Sequence, residues 1–79
     1  MRKALIVDDH PVFRNGLKTA FEGWRIFEAI DEAGSAAEAR EALDRGGYGL
    51  AMVDVGLPDG SGMDLIEENR EIWTVEFKE

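Results

Sequence analysis

Three aspartates carry the chemistry open to this sequence. Asp8 and Asp9 follow the apolar run Ala4 to Val7, and Asp54 follows a second such run, Leu50 to Val53. Runs that are apolar on both faces suit interior strands of a parallel sheet, so two strands are expected to end in carboxylates. Adjacent strands lie about 4.8 Å apart, close enough for such groups either to share a cation or to repel one another strongly. Mg2+ suits them: it prefers oxygen ligands, is held by one or two protein carboxylates, and keeps positions open for water or phosphate oxygens. A carboxylate beside that ion can accept a phosphoryl group, and Asp54, at its strand end, is the expected nucleophile. A plainer role is open to the same residues, in which Asp8 and Asp9 cap a following helix and Asp54 starts a turn.

The loop after Asp54, within the stretch VDVGLPDGSG, favours the chemical role. Gly56, Gly60 and Gly62 let backbone approach a ligand closely, and Pro58 stiffens the segment. Other phosphate and metal motifs are missing: there is no Gly-Lys-Ser/Thr loop, no Gly-x-Gly-x-x-Gly after the first strand, and no EF-hand spacing. A single histidine, His10, cannot build a zinc site or a Ser-His-Asp triad, and beside Pro11 it reads as a solvated helix-start residue.

Positioning these groups requires alternating strands and helices. Pro11 opens a helix with Phe13, Leu17, Ala20, Phe21 and Trp24 at helical spacing, ending near Gly23. Ile26 to Ala33 is expected as the second strand. Ser35 and Glu38 form a capping box for an Ala-rich helix that stops at Gly46-Gly47. Ser61 is expected to cap a third helix running to Ile72, with Met63, Ile66 and Asn69 or Arg70 on successive turns. The βαβαβα order implies a parallel sheet in the order 2-1-3, whose switch point lies between strands one and three at their carboxyl ends. Asp8, Asp9 and Asp54 converge there.

The totals limit the rest. A chain of 79 residues makes one domain, and the lack of cysteine removes disulfides and thiolate metal sites. Only four consecutive apolar residues follow the basic pair near Met1, too few for a signal peptide or a membrane span, so a cytoplasmic protein is expected. A net charge of -8 would repel a phosphate backbone, which argues against direct nucleic-acid binding.

The strings ALIVDDHPVFRNGL, EAGSAAEA and VDVGLPDGSGMDLI resemble the receiver domains of bacterial two-component response regulators. The likeness is to the branch that usually carries a LuxR/NarL-type output domain, and it covers about the first 70 residues. It implies a flavodoxin-like fold, Asp54 as acceptor of phosphate from a histidine kinase, and Asp8 and Asp9 as acidic-pocket residues around Mg2+. Asp9 would be a direct ligand and Gly56 would add its backbone carbonyl. Against the family pattern, residues 1–79 are expected to form a single truncated receiver domain that stops about two thirds of the way through. The family's Ser or Thr after strand four and Lys after strand five have no counterpart, and Lys78 does not sit in that context.

Trp73 to Lys78 alternates, with Trp73, Val75 and Phe77 on one side, and reads as an additional C-terminal edge strand over the divergent segment 73–79. The sheet face beside it is expected to be bare, which points to a homodimer through that face or edge. Two functions follow: a receiver that accepts phosphate at Asp54, or an unphosphorylated remnant that docks on a kinase or full-length regulator and titrates it. A small hydrolase using Asp54 ranks last, for want of an acid, a base and a pocket.

Overall fold

The computed structural model describes residues 2–60 and 62–78, so the expected cap at Ser61 lies outside the described residues. Four strands and three helices alternate: β1 (Lys3–Val7), α1 (Pro11–Trp24), β2 (Ile30–Ala33), α2 (Ala36–Arg45), β3 (Tyr48–Asp54), α3 (Gly62–Glu68) and β4 (Trp73–Phe77). All strand pairs are parallel and the order is β2-β1-β3-β4. The expected order 2-1-3 holds, and the alternating tail extends it as an edge strand within the same chain.

Two apolar layers sandwich the sheet, as parallel strands covered on both faces require. On one face Leu5, Val7, Ala51 and Val53 pack against Ala36, Ala39 and Ala42 of α2 and Leu65 of α3. On the other, Ala4, Ile6 and Ile30 meet Phe21 of α1. The alanines of α2 let that helix sit close to the sheet. The second layer is thinner, because α1 is the one described helix on its side.

Helix ends follow from local chemistry. Ser35 caps α2, its Oγ accepting the Glu38 N–H at 3.1 Å, while Glu38 Oε1 accepts the Gly34 N–H at 2.8 Å. The box therefore closes one residue before the cap. Gly46 and Gly47 then take φ of 78° and 93°, a region open to glycine at little cost. Helix α1 runs one residue past Gly23 and ends with Arg25 in the left-handed region, at φ 56° and ψ 36°.

Three expectations are corrected. The second strand is not Ile26 to Ala33 but Ile30–Ala33. After the left-handed turn at Arg25, Phe27 stacks on Phe21 at 6.1 Å between centroids, packing on the end of α1 in place of a ladder. Helix α3 stops at Glu68 and not at Ile72, since Asn69 Nδ2 donates to the Leu65 carbonyl at 2.8 Å and competes for the helical acceptors. Its buried face is Gly62 and Leu65, with Ile66 half-buried, whereas Met63 is exposed.

Candidate functional site

Registers place the three aspartates together. Val7 of β1 is level with Ala33 of β2 and Val53 of β3, so Asp8 and Asp54 leave adjacent strands side by side. Asp8 and Asp54 are buried and Asp9 is half-buried. One ligand atom each from Asp8, Asp9, His10 and Asp54 lie within 4.8 Å of one another. This is the switch point between β1 and β3, at the carboxyl ends of the strands, where open parallel sheets bind ligands.

The capping role is not what Asp8 and Asp9 perform. The residue at the cap of α1 is His10, with no side-chain capping bond, and Pro11 occupies the first turn, where its missing N–H costs nothing. Asp8 Oδ1 accepts the N–H of His10 itself at 3.1 Å. Arg14, one turn into α1, reaches back to donate from Nη1 to the Asp8 carbonyl at 2.7 Å and from Nε to Glu32 at 3.1 Å. A single guanidinium thus ties the ends of β1 and β2 to α1.

Asp54 does start a turn, since its Oδ1 accepts the Gly56 N–H at 2.8 Å. The same bond fixes the carboxylate at the mouth of the sheet. The loop beyond it is anchored at three points. Leu57 is buried among the core residues of the α2 side. Asp59 accepts the N–H groups of Ala36 and Ala37 at 2.8 and 3.2 Å, joining Ser35 at the start of α2. Those bonds to backbone donors hold the Asp59 carboxyl below the usual carboxylate range. At Gly62 a Cβ would overlap the Asp54 carbonyl and lie 2.8 Å from Val55 Cα and 2.9 Å from a Val53 methyl, so α3 begins pressed directly under the strand end.

A divalent cation fits this donor set. Three carboxylates with ligand atoms within 4.8 Å of one another give oxygen ligands of the hard type, and a cation relieves the repulsion among them. Asp9 Oδ1 is buried, accepts no hydrogen bond from the described residues and has the His10 Nδ1 3.2 Å away, so it faces the pocket with acceptor capacity that a cation can use.

Sequence reasoning placed Asp8, Asp9 and Asp54 correctly relative to one another because strand ends and parallel topology determine that proximity. It missed the contributions of His10, Arg14 and Asp59. The signal for His10 was its adjacency to the acidic pair; Asp59 gave none, since its partners lie in another helix.

A small α/β sheet with an acidic cluster at its switch point defines a class of ligand-binding and phosphate-handling domains. The family described as response regulator receiver domain matches residues 4–75, and the chain belongs to it: it is a receiver domain of two-component response regulators. Among curated proteins it is 38% identical over 68 residues to the DNA-binding transcriptional activator DevR/DosR of Mycobacterium tuberculosis, covering 86% of this chain and 31% of that protein. It is 41% identical over 66 residues to the response regulator protein PilR of Pseudomonas aeruginosa, covering 84% of this chain and 14% of that one. The chain thus spans about a third or less of these relatives. Among solved structures, the MaeR response regulator bound to beryllium trifluoride superposes with a TM-score of 0.90 at 24% identity, over 99% of this chain and 67% of that one, a likeness of fold.

Proposed function

We propose that Asp54 accepts a phosphoryl group from the phosphohistidine of a histidine kinase, with Asp8, Asp9 and the Gly56 carbonyl holding Mg2+ beside it. The observation that carries this reading is the burial of Asp54 at the end of β3 within the cluster shared with Asp8 and Asp9. The Gly56 N–H holds Oδ1 in place, so attack falls to Oδ2. That oxygen forms the new bond to phosphorus, the phosphorus–nitrogen bond breaks, and the imidazole leaves with the bonding pair. When bound, Mg2+ supplies positive charge that offsets the phosphoryl oxygens. The chain acts as a stoichiometric acceptor in signalling and not as an enzyme, in the cytoplasm and in the LuxR/NarL-type branch, a placement supported by the strings around Asp8, Ser35 and Asp54. Direct nucleic-acid contact is disfavoured by the net charge of -8. No described helix is long and apolar enough to cross a membrane.

Incubation with Mg2+ and a small phospho-donor is expected to add about 80 Da, the mass of a phosphoryl group, and Asp54→Asn is expected to abolish the adduct. No adduct in a chain that still binds Mg2+ would shift the reading to an unphosphorylated docking module that titrates a kinase or regulator. One observation favours that second reading. Trp73 and Val75 on β4 are exposed, and they flank the half-buried Leu50 and Met52 of β3 on the α1 side of the sheet. An apolar strip of this kind supports a homodimer through that face.

A further inference from the structure

We infer that His10 is a nitrogen ligand in the acidic pocket, so that the pocket takes a first-row transition ion in a mixed imidazole–carboxylate set more tightly than Mg2+. This rests on the proposed reading of Asp8, Asp9 and Asp54 as a cation site and specifies which cation the site prefers.

The geometry comes first. His10 Nδ1 lies 3.2 Å from Asp8 Oδ1 and 3.2 Å from Asp9 Oδ1. Metal bonds of about 2.1–2.2 Å to nitrogen and oxygen set neighbouring ligands of an octahedron about 3.0–3.1 Å apart. Both nitrogen–oxygen spacings are therefore close to ligand edges already. The Nδ1 contact with Asp8 is a hydrogen bond, but Asp9 Oδ1 faces the same nitrogen and accepts no hydrogen bond. One nitrogen thus meets a carboxylate oxygen from each of the two aspartates.

The backbone explains why the ring turns this way. His10 precedes Pro11, and a residue before proline is driven out of the helical region by the ring's Cδ. It sits at φ -100° and ψ 101°, extended, with its N–H given to Asp8 Oδ1 at 3.1 Å. The local conformation leaves Nδ1 facing the two aspartates while the His10 side chain stays 60% exposed. A metal ion entering the pocket would displace the Nδ1 proton that the hydrogen bond to Asp8 requires, leaving the Nε2–H tautomer with the Nδ1 lone pair on the ion.

Chemistry then separates the ions. Imidazole suits Fe2+, Ni2+, Cu2+ and Zn2+ and adds little for Mg2+, which keeps to oxygen and water. An all-carboxylate pocket would also rank transition ions above Mg2+, so the ranking alone decides nothing. The differential effect of removing His10 decides it.

The test uses the full, untagged chain, in which His10 is the one histidine. Pulsed electron paramagnetic resonance of the Cu2+-loaded protein should show nitrogen coupling of the imidazole type, which His10→Ala abolishes. Calorimetric titration should show His10→Ala weakening Ni2+ binding roughly tenfold or more while Mg2+ binding changes less than about twofold. No imidazole coupling in the wild type, or a Ni2+ affinity unmoved by His10→Ala, overturns the inference and leaves the Mg2+ reading standing. Asp9→Asn is the control for the site itself: Mg2+ binding that it leaves intact would overturn the cation-site reading and this inference with it.

Discussion

At the scale of single residues, Gly62 and Tyr48 bear more than their types announce. Gly62 has no room for a methyl group, because the Asp54 carbonyl, Val55 Cα and a Val53 methyl already fill the space a Cβ would need. Backbone cannot yield as a flexible side chain does, so Gly62→Ala should cost about 3 kcal/mol, measurable by urea unfolding. Tyr48 is buried at the start of β3 and donates to Asp31 Oδ2 at 2.5 Å, with the Lys3 ammonium 4.5 Å from its ring centroid. Burial, then the hydrogen bond and charge of Asp31, push its phenol from 10.0 up to about 12. The group's folded value is raised, so its stabilisation is whole below about pH 10 and fades as the pH climbs toward 12. Since the chain has one tyrosine, its phenolate absorbance should titrate near 12, and Asp31→Asn should lower that midpoint only in part, because burial, the larger cause, remains. The sequence made the acidic trio legible, because a carboxylate after each of two doubly apolar runs admits few placements. It hid the Asp31–Tyr48 and Asp59–Ala36 contacts, which exist only once strands and helices have met.

At the scale of elements, legibility tracked how local the deciding interaction is. The runs of β1 and β3 and the box at Ser35 and Glu38 are written in adjacent residues, and they appear where expected. The start of β2 is not: Ile26 and Phe27 have strand-like side chains, yet the turn at Arg25 spends Phe27 on Phe21. The face of α3 was likewise misread by one residue, because Gly62 carries the closest contact and gives no hydrophobic signal. Arg25 itself holds a left-handed conformation that costs a residue with a Cβ about 1 kcal/mol. Arg25→Gly should therefore stabilise the domain by about 1 kcal/mol and raise its Tm by roughly 4–8 °C in a calorimetric scan.

At the scale of the whole molecule, the two sheet faces are unequal. Helices α2 and α3 close one side, while on the other Trp73 remains 81% exposed and Val75 44% exposed on the edge strand. Phe13 of α1 leans on Phe77 at 5.6 Å but leaves the outer half of β4 uncovered. Light scattering at micromolar concentration should report a dimer, and a Trp73→Ser, Val75→Thr double variant should be monomeric with unchanged far-ultraviolet circular dichroism. A compact wild-type monomer would remove the homodimer from the account.

The position of β1 in the middle of the sheet has a further consequence, for the order in which the chain can acquire structure. Ala4 is matched with Ile30 and Leu5 with Ala51, and no strand pair is joined by a hairpin. Closing such long loops costs entropy before any contact returns it, so the centre of the sheet cannot nucleate from neighbouring residues. As the chain is synthesised, the segment that becomes β1 precedes both of its partners: Ile30–Ala33 can join it on one side, but its other side stays open until Tyr48–Asp54 has been made. The acidic cluster is then among the last features to assemble, because Asp8 and Asp54 meet only when that central pairing is complete.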